Sequence, residues 1–165
     1  MERRRMKVGL YPGSFDPITY GHIDIVKRAL KIFDKLYILV SVNPHKTNLF
    51  SKDERIEMIK RALEGCMDKI EIETSNDLTV KHAKALGATH IVRGLRALTD
   101  FEYEFQMTHA NRVLDRSVDS IFFMTDNKYS FLSSTSIKEI ARFDGDLSTF
   151  APPFIVEKLR NKFNY

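Results

Sequence analysis

The chain carries one cysteine, Cys66, which excludes an internal disulfide framework and leads us to expect a reducing, cytoplasmic setting. No apolar run reaches the length of a membrane span, and no hydrophobic signal segment follows Arg3-Arg4-Arg5. Neither a membrane nor an export role is therefore expected. The histidines His45, His82, His90 and His109 are scattered, with no His-x-x-x-His or Cys-x-x-Cys pair, so no structural zinc is expected. Two nucleotide fingerprints are missing as well. Without a Gly-x-x-x-x-Gly-Lys-Ser/Thr loop or a Gly-x-Gly-x-x-Gly turn, ATPase and dehydrogenase readings lose most of their support. There is no linker, repeat or low-complexity tract, and 165 residues suit one domain, residues 1–165, with a real core. The formal charge of +4 suits anionic substrates such as nucleotides and does not by itself indicate nucleic acid. The arginine triplet reads as a solvated tail.

Strand-like and helix-like segments alternate along the chain. Lys7 to Tyr11 predicts a strand, and Ile23, Val26, Leu30 and Phe33 recur at helical spacing behind it. Leu36 to Val40, Ile70 to Ile72, His90 to Val92 and Ile121 to Met124 predict four more strands. Ser51-Lys52-Asp53-Glu54 is a capping box opening one helix, and Thr99-Asp100-Phe101-Glu102 has the same form before another, running to Leu114. Leu78 to Leu86 predicts a helix stopped by Gly87. Ser136-Ile137-Lys138-Glu139 predicts a further helix start, and Pro152-Pro153 the last one. Five strands separated by helices imply an α/β fold, with a doubly wound five-stranded parallel sheet of Rossmann-like form.

In such sheets ligands bind beyond the carboxyl ends of the strands. The unusual polar residues fall there. Ser14 and His22 follow the first strand, Lys46 the second, Arg93 and Arg96 the fourth, and Ser133 to Thr135 the fifth. The segment Tyr11-Pro12-Gly13-Ser14-Phe15-Asp16-Pro17-Ile18-Thr19-Tyr20-Gly21-His22 sets small residues, a hydroxyl and an imidazole ahead of a helix start, where orphan amides attract phosphate. Asp16 and Pro17 read as turn-shaping residues, because a carboxylate beside phosphates repels them. Ser133, Ser134 and Thr135 read equally as helix caps and as anion binders. Phe101, Tyr103, Phe105 and Met107 are expected to include both core and oligomer-facing residues.

The run from Pro12 to His22 resembles the nucleotidylyltransferase superfamily, with its (H/T)-x-G-H motif read here as Thr19-Tyr20-Gly21-His22. Threonine in first place, with Arg93-Gly94-Leu95-Arg96 and Asp100-Phe101-Glu102-Tyr103-Glu104, is similar to the phosphopantetheine adenylyltransferase family. Ser130-Phe131-Leu132-Ser133-Ser134-Thr135 resembles that superfamily's C-terminal phosphate motif. The resemblance covers essentially the whole chain. It implies transfer of an adenylyl group from ATP to 4′-phosphopantetheine, with His22 stabilising the α-phosphate. It implies that Lys46 and Arg93 hold the attacking phosphate, with Thr79 a weaker substrate contact and Ser14 touching both substrates. ATP contacts are implied for Ser14, Phe15, Gly94, Leu95, Arg96 and Glu104, and for Tyr129 through Thr135: Tyr129, Ser130, Phe131, Leu132, Ser133, Ser134 and Thr135. Mg2+ is expected to arrive with ATP, and the resemblance further implies a homohexamer inhibited by coenzyme A. Another acceptor, such as nicotinamide mononucleotide, and a non-catalytic nucleotide sensor remain as alternatives.

Overall fold

The computed structural model of the chain describes residues 6–42 and 47–165. Arg3-Arg4-Arg5 and the segment holding His45 and Lys46 lie outside the described residues. The described elements, in chain order, are β1 (Val8–Gly13), α1 (Tyr20–Ala29), β2 (Lys35–Ser41), α2 (Lys52–Ala62), β3 (Ile70–Ser75), α3 (Thr79–Ala85), β4 (His90–Leu95), α4 (Leu98–Leu114), β5 (Asp119–Met124), α5 (Ser134–Arg142) and α6 (Pro153–Lys162). The strands are all parallel in the order β3-β2-β1-β4-β5. The order reverses between β1 and β4, which makes that boundary the switch point of a doubly wound sheet.

Alternation along the strands divides the core in two, because successive side chains leave opposite faces. Leu36, Ile38 and Val40 pack with Val26 and Ala29 of α1, Met58 and Ile59 of α2, Ile137 of α5, and Ile155 and Leu159 of α6. Tyr37 and Leu39 join Leu10 and Ile91 on the other face, under Val80 and Ala83 of α3. Continuous apolar runs in the central strands are the consequence of burial on both sides.

Sequence and structure part at several element starts. Strand β1 runs past Tyr11 to Gly13, and α1 begins at Tyr20 rather than near Ile23. The capping box at Ser51 forms as read, with Ser51 Oγ accepting from the Glu54 amide and Glu54 accepting from the Ser51 amide. The one assigned to Thr99 does not: α4 starts two residues earlier, at Leu98, with Ala97 at its N-cap and no side-chain cap. Asp100 is instead turned back to the Arg96 guanidinium at 3.0 Å, a stronger partner than a helix amide. At α5 the cap is Ser133, not Ser136. Ser133 Oγ accepts from the Ser136 amide while Ser136 Oγ accepts from the Ser133 amide, so Ser136 fills the third helical position.

Long helix α4 differs most from expectation. Phe101, Tyr103, Phe105 and Met107 are all exposed, so none belongs to the core of the protomer. The helix touches the sheet through pairs such as Phe101 with Phe122 and Glu104 with Arg93, and leaves an apolar face uncovered.

Candidate active site

Between β1 and β4 the ladder is short. β1 pairs with β2 over six residues, Val8 to Gly13, but its register with β4 covers only Gly9 and Leu10. Beyond Leu10 the two strands separate, and Pro12, which has no amide hydrogen to offer a ladder, stands where that pairing has ended. The gap becomes a cleft of about 330 Å³. Its walls come from β1 and the following turn (Gly13, Ser14), from α1 (His22, Ile25), from β4 (Arg93, Gly94), and from the start of α5.

The turn from Gly13 to Thr19 is shaped from below. Phe15 is fully buried with φ +47°, a left-handed conformation unusual for a bulky residue. Its ring lies against Gly13, where a Cβ would sit 3.0 Å from it, so a larger residue there would push the ring back from under the strand end. Asp16 is 1% exposed and accepts from the amides of Leu49 and Phe50, each at 2.9 Å, and from Lys138 Nζ at 2.8 Å. Its carboxylate therefore faces the protein and not the cleft, in keeping with a turn-shaping role. Ser134 Oγ donates to the Pro17 carbonyl at 2.9 Å, joining the start of α5 to this turn.

His22 is the third residue of α1 and completes a capping box in which a histidine stands where glutamate or glutamine is usual. The Thr19 amide donates to His22 Nδ1 at 3.1 Å, with Thr19 Oγ1 at 3.0 Å from the same nitrogen. An amide can only donate, so Nδ1 is the unprotonated nitrogen and the ring proton resides on Nε2. Phe15 and Tyr11 flank the ring, with centroids 5.0 and 6.4 Å away. Burial, and then the Arg96 charge, lower the His22 pKa to about 4. The cleft thus holds a neutral imidazole whose Nε2–H is a fixed donor across the physiological range. Ring-¹⁵N NMR should show an unprotonated Nδ1 and a protonated Nε2, unchanged from pH 8 down to pH 5. A titration midpoint near 6.5 would contradict this geometry. A lowered folded-state value means that the neutral ring stabilises the fold above about pH 6.5, a contribution lost as pH falls from there toward 4.

Two arginines supply positive charge. Arg93 Nε donates to Glu104 Oε2 at 2.6 Å and its Nη2 pairs with Oε1, a two-pronged ion pair between β4 and α4. Its Nη1 reaches the Pro12 carbonyl at 3.5 Å, across the gap between the strands. Arg96 pairs with Asp100 and donates from Nη1 to the Leu132 carbonyl at 3.0 Å, tying the end of β4 to the loop before α5. That loop ends at the Ser133 cap, which occupies the Ser133 amide and hydroxyl. The amides of Ser134 and Thr135, first in α5, belong to the orphan set that attracts anions.

Of the residues singled out in the sequence, Ser14, His22, Arg93, Gly94, Arg96, Glu104, Tyr129, Leu132, Ser133, Ser134 and Thr135 line the cleft. Phe15, Leu95, Ser130 and Phe131 do not line it. The Phe15 ring is core, Leu95 is buried, Ser130 Oγ binds the Asn127 carbonyl, and Phe131 is exposed and packs edge-on against Phe150. Lys46 lies outside the described residues. Thr79 sits in a neighbouring cleft of about 250 Å³, with Leu78, Met107 and Asn111. The two clefts share Pro12, Arg93 and Glu104, so the ion pair stands at their junction. Sequence reasoning missed Tyr11, Ile25 and Thr125 as cleft walls. Thr19 was readable, since Thr19-x-x-His22 has capping-box spacing.

Among the described residues no group of three His, Cys, Asp or Glu side chains could hold a metal ion. No helix among them is long and apolar enough to cross a membrane. An imidazole donor, two guanidinium groups and a helix N-terminus converge on the switch point of a parallel sheet, and that defines an anion-binding cleft in a doubly wound α/β domain. Residues 10–140 match the cytidylyltransferase-like family model. Phosphopantetheine adenylyltransferase of Caldanaerobacter subterraneus subsp. tengcongensis is 50% identical over 158 residues, covering 96% of this chain and 98% of that protein. The enzyme of the same name from Geotalea daltonii is 46% identical over 159 residues, with 96% and 98% covered. The chain belongs to the phosphopantetheine adenylyltransferase family. The fold is also that of a Plasmodium falciparum nicotinic acid mononucleotide adenylyltransferase solved with NaAD (TM-score 0.71, 15% identity, 97% of both chains). It matches a Francisella tularensis bifunctional NMN adenylyltransferase/ADP ribose pyrophosphatase (TM-score 0.71, 18% identity), covering 97% of this chain and 50% of the other.

Proposed function

We propose that the chain transfers the adenylyl group of ATP to 4′-phosphopantetheine, giving dephospho-coenzyme A and pyrophosphate. The observation that carries this reading is the pair of adjoining clefts meeting at Arg93. One offers phosphate donors for a nucleotide. The other, lined by Leu78, Thr79, Met107 and Asn111, suits an arm of alternating methylene and amide groups. The acceptor is already an anionic nucleophile near neutral pH, so no base is required. One of its phosphate oxygens bonds to the α-phosphorus as the bond from that phosphorus to the oxygen bridging toward the β-phosphate breaks. Pyrophosphate leaves with the bonding pair, and no covalent enzyme intermediate forms. Positioning and charge neutralisation then supply the catalysis.

His22 Nε2–H and Ser14 donate to the α-phosphate oxygens. Arg93 and Lys46 hold the acceptor phosphate. Arg96 and the Ser134 and Thr135 amides receive the leaving pyrophosphate. Gly94 and Leu95 offer ATP their backbone, and Glu104 holds Arg93 in the free protein and a ribose hydroxyl when ATP is bound. The cleft carboxylate Glu104 is engaged by Arg93, so the triphosphate itself would supply the ligands of a magnesium ion arriving with ATP, which would neutralise phosphate charge. Coenzyme A contains both an adenylyl and a pantetheine portion and would occupy the two clefts together, which makes it a competitive inhibitor. The uncovered apolar face of α4 is suited to burial between subunits of a homohexamer. We place the enzyme in the cytoplasm. Pyrophosphate release should be measured with ATP and phosphopantetheine, nicotinamide mononucleotide or glycerol 3-phosphate in turn. Release with phosphopantetheine alone is expected; release with a different acceptor, or with none, would overturn the assignment.

A further inference from the structure

Ser134 and Thr135 open α5 and line the cleft, so whatever fixes this helix along its axis also fixes their backbone donors. Ser134, Ile137 and Lys138 are spaced i, i+3 and i+4 and share one side of the helix. Ile137 is fully buried in the core. Its burial holds the helix down but has no direction along the axis. Polar contacts on either side supply that direction. Ser134 Oγ donates to the Pro17 carbonyl at 2.9 Å, and Lys138 Nζ donates to Asp16 Oδ2 at 2.8 Å. One turn of α5 thus grips two successive residues of the turn after β1.

A lysine is an unfavourable choice at this place on local grounds. It stands just past the first turn of α5, near the end of the helix dipole that repels cations, and ordering its long stem costs side-chain entropy. Yet the Lys138 side chain is only 21% exposed, and that of its partner 2%. Asp16 needs the cation, because a buried carboxylate is costly unless it is paired. Arg55, which is also buried, directs its guanidinium to the carbonyls of Ser14, Ser41 and Ser51. Among the described residues Lys138 is the cation within ion-pair distance of Asp16. The amides of Leu49 and Phe50 hold the same carboxylate from the other side. Asp16 is therefore a fixed point in the body of the protein, and Lys138 ties α5 to it.

We propose that Lys138 is a positioning residue for nucleotide binding, whose ion pair with Asp16 sets the start of α5 so that the Ser134 and Thr135 amides meet the triphosphate. The proposal rests on the ATP-binding reading of the cleft but not on the identity of the acceptor. In Lys138→Met the dissociation constant for magnesium ATP, read by calorimetry, should rise about tenfold, while KM for phosphopantetheine stays within about twofold. Serine labelled at the carbonyl carbon and threonine labelled at nitrogen give only two joint signals in this chain, from Ser134-Thr135 and Ser148-Thr149. The Thr135 signal should shift with magnesium ATP in the parent protein, and that shift should fall by more than half in Lys138→Met. Lys138→Arg, which keeps the ion pair, should recover both. Lys138→Gln, which can reach Asp16 without charge, should fall between, and it carries the same test if the methionine variant does not fold. A lower melting temperature with parental ATP affinity and a parental Thr135 response would make Lys138 a strut of the fold and overturn the proposal. So would equal weakening of both substrates, an arginine variant no better than the methionine one, or a Thr135 signal that ignores ATP bound to the parent protein. A parent protein that binds no ATP refutes the ATP-binding reading, and the proposal falls with it. One that binds ATP but releases no pyrophosphate with phosphopantetheine refutes the acceptor assignment and leaves Lys138 standing.

Discussion

Replacing His22 with alanine should lower turnover about a hundredfold to a thousandfold while ATP affinity changes little, the loss typical of removing one preorganised donor to a developing oxyanion. The neutral ring and its fixed Nε2–H make the donor specific, because the Thr19 amide already occupies Nδ1. The same contact means that alanine removes one arm of the α1 capping box, so a stability loss of about 1 kcal/mol should accompany the kinetic one. His22→Gln separates the two effects. Glutamine at the third helical position can still reach the Thr19 amide and hold the cap, but it carries no imidazole donor. Thermal unfolding should therefore be nearly parental in His22→Gln while pyrophosphate release stays depressed. Unchanged turnover in either variant would remove His22 from the chemistry.

Much of this site was legible because its parts are local. Strand alternation, the Ser51 capping box and the clustering of Ser14, His22, Arg93, Arg96 and Ser133 at strand ends all depend on short-range pattern, and the structure brings these residues together. What was not legible depends on partners far along the chain. Arg55 reads as one more charge in the highly charged helix after Ser51, and its burial exists only because Ser14, 41 residues earlier, lies beneath it. Asp100 looked like part of a cap because spacing cannot report that Arg96 offers it a better partner. Ser133 prevails over Ser136 as the cap of α5 because the helix start is set in part by the Ser134 contact to Pro17, 117 residues away. The aromatic residues of α4 have core-like chemistry and no core to enter, since this helix meets the sheet only along a narrow polar and aromatic seam. Tyr11, Ile25 and Thr125 line the cleft only because β1 and β4 separate beyond Leu10, a feature of register rather than of residue type.

Replacing Arg93 with alanine should cost more than any change to the cleft except loss of His22. It removes a phosphate donor from the junction of the two clefts, and kcat/KM for the acceptor should fall at least about a hundredfold. It also strands Glu104, whose carboxylate accepts two guanidinium bonds and is only 13% exposed at the side chain. An unpaired, mostly buried carboxylate should lower stability by about 2 kcal/mol. These two losses have different remedies. In the double variant Arg93→Ala/Glu104→Gln the uncompensated charge is gone, so most of the stability should return. Activity should not, because no guanidinium faces the acceptor phosphate. If the double variant regained turnover together with stability, Arg93 would be a strut between β4 and α4 and nothing more. Recovery of the melting temperature alone would assign the guanidinium to the reacting phosphate, with Glu104 as the group that holds it ready until substrate displaces it.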